Sequence, residues 1–326
     1  MSAIENREVV SDEAGMRLDR WFKLHFPGLG FGHLQKLIRS GQVRVDGARV
    51  ETSTRLATGQ RVRIPPLQAT DAKPPPPKAL RKTGDRKVLE AAILHEDAQV
   101  IVLNKPAGLA VQGGSGLTRH VDAMLDAFTD RHGRKPRLVH RLDRETAGVL
   151  VVARTRSAAA FLGQAFKARE TRKIYWALVA GAPRPPSGSI STFLARDEAK
   201  ERMRIAKHGE RGADHAVTHY ALAEQAGQRV SWLVMRPITG RTHQLRAHAA
   251  HIGHPIVGDR KYFNIENWEL PGGLQNRLHL LARRIVIPHP EGGVIDVTAP
   301  LPPHMRQSWS VLGFDEASGV EVEIGL

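Results

Sequence analysis

The run His140-Arg141-Leu142-Asp143-Arg144-Glu145-Thr146-Ala147-Gly148 places a dense polar cluster between two apolar stretches, Leu138-Val139 and Val149-Leu150-Val151-Val152. Core packing does not ask for such a cluster. Asp143 has Arg141 and Arg144 beside it. Nearby arginines favour the ionised carboxylate and can hold it in place. An ionised, positioned aspartate can act as a nucleophile or a base. A structural salt bridge on a turn would use the same residues, and spacing alone leaves both readings open. Asp143 and Glu145 are not read as a paired-carboxylate site, because two residues apart on an extended chain they point to opposite faces.

A second cluster is Gly240-Arg241-Thr242-His243-Gln244-Leu245-Arg246-Ala247-His248, continuing to His251, Gly253-His254-Pro255 and Gly258-Asp259. The pattern predicts a helix opening at Arg241, with Thr239 or Gly240 as its cap. His248, His251 and His254 are spaced as metal ligands can be. Gly253 and Pro255, however, would end the helix near the third histidine, and no acid nearby completes a ligand set. The expectation is no metal. Lys173-Ile174-Tyr175 falls inside a strand, where a half-buried tyrosine is common. The chain has no phosphate loop and no Gly-x-Ser-x-Gly elbow. It has no cysteine, which excludes disulfides, thiolate metal sites and cysteine nucleophiles.

These residues need a scaffold. Strand-length runs occur at 92–95, 100–104, 149–152, 173–180, 217–222, 230–235, 284–287 and 294–297. Val121, Met124, Leu125 and Phe128 share a helical face, and Ser157 would cap a helix carrying Phe161, Leu162, Ala165 and Phe166. Strands outnumber helices and do not alternate with them. This predicts an α+β fold with a mixed, mainly antiparallel sheet. The acidic stretch from Asp315 to Glu323 is expected to be peripheral.

The chain divides at Pro65–Lys87, where Pro65, Pro66 and Pro74 to Pro77 mix with lysines and arginines. Proline at that density predicts a semi-extended basic linker, over residues 67–88. Before it, residues 14–66 hold two short helices and a small sheet. Leu18, Trp21, Phe22 and His25 recur at helical spacing, as do Leu34, Leu37 and Ile38. Gly41 stands at a C-terminal cap and Asp46-Gly47 at a hairpin turn. From Ala14 to Ile64 there are ten Lys/Arg against three acids. The whole chain of 326 residues carries a formal net charge of +15, which points to a polyanionic partner. No apolar run approaches the roughly 20 residues of a membrane span, and the polar N-terminus is unlike a signal peptide, so a cytoplasmic protein is expected. The absence of a long apolar seam suggests a monomer.

Residues 14–66 resemble the S4 RNA-binding domain through Met16-Arg17-Leu18-Asp19-Arg20-Trp21 and Leu37-Ile38-Arg39-Ser40-Gly41-Gln42-Val43-Arg44-Val45-Asp46-Gly47. That resemblance implies RNA contacts by Arg17, Arg20, Lys36, Arg39 and Arg44. The His140–Gly148 run is similar to the signature of the RluA-type RNA pseudouridine synthases. So are Lys173-x-Tyr175, Gly240–His248, Gly253-His254-Pro255-Ile256-x-Gly258-Asp259 and Leu103-Asn104-Lys105-Pro106-x-Gly108. The motifs span about residues 90–305 in family order, which implies a catalytic domain over residues 89–310. The resemblance implies that Asp143 is the catalytic carboxylate and Arg241 its charge partner. It further implies that Tyr175 stacks on the uracil, that Arg141 fills the gap left by a flipped base, and that Arg144 also meets RNA. It implies no cofactor. The run Val111–Leu117 resembles a branch whose usual target is 23S rRNA; the same chemistry on tRNA or another rRNA site, or a non-catalytic rRNA-binding assembly factor on the same fold, stays the alternative. Glu145 and Ala147 replace the more frequent Asp and Ser, and Leu280 and Phe263 stand where smaller residues are usual.

Overall fold

The structure, a computed structural model, describes residues 4–10, 13–26, 29–67, 78–113, 119–130, 133–266 and 268–325. Contacts divide the chain into two units, 1–78 and 79–326. In the first, the two expected helical patterns give α1 (Leu18–His25) and α2 (Phe31–Arg39). Each is one-sided. Leu18, Trp21 and Phe22 of α1 and Leu34, Leu37 and Ile38 of α2 are buried together with Val43, Val45, Leu56, Val62 and Ile64. Gly41 takes φ 72° after α2, and Asp46-Gly47 takes φ 50° and 79°, as the cap and turn readings require.

The sheet of this unit is wider than the sequence suggested. β2 (Arg44–Val45) and β3 (Arg61–Ile64) are joined by β1 (Glu5–Glu8), in the order β1-β3-β2. β1 lies before residue 14 and reads Glu-Asn-Arg-Glu, with no apolar alternation. It is a strand because β3 offers it a hydrogen-bonding edge, with Glu8 opposite Arg61. Where the second unit begins, the expected semi-extended linker is helical from Lys78 onward. α3 spans Lys78–Glu90, beyond the last proline of the run, and buries Leu89 against Ile101 and Leu103. Pro74 to Pro77, and Gly114 to Leu117 of the branch motif, lie outside the described residues.

The second unit is built on an 11-stranded sheet. In chain order its strands are β4 (Ile93–Glu96), β5 (Val100–Lys105), β6 (Arg137–Leu138), β7 (Ala147–Ala153), β8 (Arg172–Ala180), β9 (Ser187–Asp197) and β10 (Arg202–Ala206), followed by β11 (Asp214–Ala226), β12 (Val230–Pro237), β13 (Leu280–Pro288) and β14 (Val294–Thr298). The main path runs β10-β9-β11-β12-β8-β13-β7-β5-β4, with β14 on β13 and β6 on β7. Among the described residues one pairing is parallel, between β7 and β13, which makes the sheet mixed and mainly antiparallel, as expected. β9 and β10 were not anticipated; their burial is patchy, so they carry no clean period-2 signal.

Besides α3, this unit holds the helices α4 (Val121–Met124), α5 (Arg156–Ala168), α6 (Gln244–His251), α7 (Pro303–Leu312) and α8 (Glu316–Gly325). Thr155, not Ser157, caps α5 by accepting the Ala158 amide at 3.0 Å. On one face of the sheet Trp176, Trp232 and Trp309 meet edge-on, with centroids 4.6 and 5.0 Å apart. The acidic C-terminal stretch is not peripheral. As α8 it lies on β11 and β12, where Gly319 allows an approach that any Cβ would block, 2.2 Å from Trp232. Glu323 is buried and accepts the Trp176 indole N–H at 2.9 Å. Charge density hid a helix whose Val322 packs on the core.

Two histidines tie elements together inside the fold. His248 of α6 bonds Thr218 through Nδ1 and Thr192 through Nε2, both at 2.9 Å. His279 donates its Nδ1–H to Arg277 O and sets Nε2 against Ser308 Oγ, both at 2.7 Å. Burial first, then a neighbouring histidine, lowers each to about pH 4. In the unfolded chain both take a proton near pH 6.5, so between about pH 6.5 and 4 the unfolded state binds more protons. Stability therefore falls on acidification through that window, by at most ~1.4 kcal/mol per pH unit for each histidine. Urea unfolding from pH 7 to pH 4 should show this slope, and His279→Gln should flatten it; an unchanged slope would refute the assignment.

Candidate active site

One row of strand register assembles the site. Met235 of β12 lies opposite Tyr175 of β8, Tyr175 opposite Ala282 of β13, Ala282 opposite Gly148 of β7, and Gly148 opposite Lys105 of β5. Gly148 sits at the parallel junction with φ 109°, and a Cβ there would lie 2.1 Å from Ala282 O. Only glycine fits, so β7 can close on β13 and deliver the loop of residues 140–146 beside Tyr175. The end of that loop is clamped. The buried Lys105 ammonium donates to Pro106 O, Leu109 O and Arg144 O at 2.9, 2.8 and 3.1 Å. Burial lowers Lys105 to about pH 7, against the opposing charges of Glu145 and Asp143. Gly108 N–H also reaches Arg144 O, at 2.8 Å.

The loop opens onto a cavity of about 530 Å³, lined by Asp143, Tyr175 and Arg246 among others. Such a volume suits a small ligand. Asp143 is the only carboxylate among the cavity's described lining residues. Arg246 Nη1 lies 3.8 Å from Asp143 Oδ2, and His243 Nε2 4.0 Å from the same oxygen. Neither is a hydrogen bond. The carboxylate is held by charge, and Oδ1 has no hydrogen-bond partner among the described residues.

The arginine facing Asp143 is thus Arg246, not Arg241. The helix starts later than predicted, at Gln244, with His243 as N-cap at φ 50°. The buried Gln244 amide explains the shift. Its Nε2 donates to Val217 O and Thr218 Oγ1 at 2.9 Å, while its Oε1 accepts from Thr239 Oγ1 and Arg241 N at 2.7 and 3.0 Å. This pins residues 239–241 as a loop. Arg241 then turns to the cavity's outer lip, with Nη1 3.3 Å from Asp214 and Nε donating to His215 O at 3.2 Å.

Arg246 is held in a fork. Its Nε and Nη2 bond both oxygens of the buried Asp259, at 2.7 and 2.6 Å. Burial works against its charge, but Asp259 and then Asp143 more than offset it, and its pKa is raised. Tyr262 lies under the guanidinium, 5.1 Å from ring centroid to Cζ. The Tyr262 hydroxyl accepts the Met203 amide at 2.7 Å, so its own proton is directed to His243 Nδ1, 3.1 Å away. That assigns the proton on neutral His243 to Nε2, the nitrogen facing Asp143. Burial, opposed by Asp143, lowers the His243 pKa and favours this neutral form. Sequence reading missed Arg246, His243, Asp259 and Tyr262 as a set. All but Tyr262 stood in the quoted motifs, and only the fold shows that they converge.

The other expected residues divide. Tyr175 is in the cavity wall, and burial followed by the Asp143 charge raises its hydroxyl well above the usual tyrosine range. Arg141 is exposed on the rim. Arg144 bonds Gly108 O at 3.1 Å and pairs with Glu145 at 3.5 Å. His140 stacks on Phe166 at 4.6 Å and accepts the Val151 amide at 2.8 Å; burial lowers it to about pH 3, so it is a neutral prop. Leu280 lines the cavity. In the first unit Arg20, Lys36 and Arg39 are exposed, whereas Arg17 is forked onto Asp19 and Arg44 bonds Gly41 O and Gly47 O. His248 and His254 spend ring nitrogens on protein groups, and no cluster of three metal-type ligands occurs among the described residues. No helix there is long and apolar enough to cross a membrane.

Residues 99–251 match the family model described as RNA pseudouridylate synthase. An uncharacterized RNA pseudouridine synthase of Synechocystis is 36% identical over 92% of this chain and 90% of its own length. The ribosomal large subunit pseudouridine synthase C of Haemophilus influenzae is 36% identical over 90% of this chain and 89% of its own. The solved structure of human RNA pseudouridylate synthase domain containing 4 superposes with TM-score 0.61 at 27% identity, covering 73% of this chain and 98% of that one. Similarity of this depth along nearly the whole of both sequences, with the cavity inside the matched region, establishes that the chain belongs to the RNA pseudouridine synthase family.

Proposed function

We propose that the protein isomerises uridines of 23S ribosomal RNA to pseudouridine, with Asp143 as the catalytic carboxylate. The observation that carries this is Asp143 as the only carboxylate among the cavity's described lining residues, faced by the forked Arg246. Relatives named ribosomal large subunit pseudouridine synthase C support the choice of RNA.

The reaction breaks the uracil N1 bond to ribose C1′, turns the base and joins C5 to C1′. The C5 proton leaves and N1 gains one, so nothing is added or oxidised. Attack on C1′ and removal of a ribose proton both call for an ionised oxygen with no hydrogen bond to break, as Asp143 Oδ1 offers. Arg246 supplies preorganised charge; at about 4 Å in an effective dielectric of about 20, such a pair is worth ~4 kcal/mol before desolvation. Tyr175 keeps its proton, so it packs on the uracil and donates a hydrogen bond rather than serving as a base. The uridine must first leave its stack, at ~a few kcal/mol, and Arg141 on the rim fills the gap. Arg144 meets phosphate outside. The first unit acts as an S4-like RNA-binding module, through Arg20, Lys36 and Arg39 on α1 and α2.

Mapping pseudouridine in 23S rRNA from cells with and without the gene tests the reading directly. Loss at specific uridines is expected, and an unchanged map would reject the 23S assignment. In vitro, Asp143→Asn should abolish product while RNA affinity is kept; measurable turnover would remove Asp143 from its role.

The two arginines separate in the same assay. Arg246→Met should lower kcat by about 100-fold or more, whereas Arg241→Met should act mainly on KM. The reverse ranking would restore Arg241 as the partner of Asp143. For the first unit, combined Arg20→Ala, Lys36→Ala and Arg39→Ala should weaken RNA binding. It should also reduce the slope of log affinity against log salt by about 1 per lost phosphate contact. An unaltered slope would show that these side chains do not meet RNA.

A further inference from the structure

The cavity has a second wall that the reaction as described does not use. Lys167, Arg169 and Lys173 line it, with Arg141 on the rim. Unlike Arg241 and Arg246, these four side chains have no ion pair or hydrogen bond among the described residues. Lys173 is half-buried, yet no carboxylate neutralises it; burial and then the like charge of Arg169 lower it to about pH 8. A cation placed like this costs stability in the free protein. That cost is expected where a side chain awaits an anion.

Its place on β8 says which anion. Ile174 is buried with Trp176 on one face of the sheet, while Tyr175 packs on the other. Strand alternation therefore puts Lys173 and Tyr175 on the same face, one pleat repeat or about 7 Å apart. That spacing matches the separation of a nucleobase from the phosphate of its own nucleotide. The Lys173 Nζ lies beside Gly240, 3.9 Å from where a Cβ would stand, so it extends along the cavity wall toward residues 239–241. We propose that Lys173, with Arg169 beside it, binds the phosphate of the nucleotide being isomerised. This rests on the reading that Tyr175 faces the uracil.

The test compares uridine, uridine 5′-monophosphate and uridine 3′-monophosphate as ligands of the full-length protein and its Lys173→Met variant, by NMR titration. The wild type should bind one monophosphate about tenfold or more tighter than uridine, as a charge-assisted contact implies. Lys173→Met should lose that preference. It should also melt no lower than the wild type, because it removes an unpaired half-buried charge while keeping the apolar stem. Equal binding of all three ligands by the wild type, no binding of either monophosphate, or a preference that survives Lys173→Met would overturn the proposal. A lower melting temperature for the variant would also overturn it, since Lys173 would then be a structural partner. The underlying reading fails separately. A wild type that makes no pseudouridine in RNA, yet keeps a Lys173-dependent monophosphate preference, would lose its assigned reaction and keep its phosphate site.

Discussion

The buried fork between Arg246 and Asp259 is the constraint on which the site depends. A guanidinium in a protein interior is tolerable only when its hydrogens are used and its charge is matched. Asp259 does both, and is itself fixed by the Lys261 and Tyr262 amides at 2.9 and 3.3 Å. One nitrogen, Nη1, is left to face Asp143. The arrangement sets a positive potential beside the carboxylate without tying up its oxygens. A tight Arg–Asp143 bond would have tied up the Asp143 oxygens; with Arg246 forked onto Asp259, they carry none from it.

The same economy governs the surrounding polar groups. The buried His248 and His279 and the half-buried His140 are neutral, so they orient neighbours without adding charge. Lys105 spends its ammonium on three carbonyls and holds the end of the Asp143 loop. What remains uncompensated is concentrated in the cavity, where one carboxylate faces several cations. Charge imbalance of that kind is expensive in an empty pocket and suited to a polyanionic substrate.

The local chemistry was largely legible in the primary structure. The polar run between apolar strands singled out Asp143 while leaving a structural salt bridge open, and the structure puts it in a cavity wall. The period-2 runs marked most of the sheet and its antiparallel character, and the helical periodicities with Gly41 and Asp46-Gly47 marked the first unit. Composition settled the absence of cysteine chemistry and the pull toward an anionic partner, because these depend on residue type alone.

Pairing across distance was decided by the tertiary structure. Arg241 and Arg246 are both arginines of one motif; the choice between them follows from Gln244, whose amide reaches β11 and delays the helix start. β1 has no apolar pattern and exists through the free edge of β3, and α8 reads as an acidic tail until its one glycine meets Trp232. Spacing along a chain reports which side chains share a strand face or a helix turn. Which strand lies beside which, and so which charge faces which, is set by long-range packing that no local window contains.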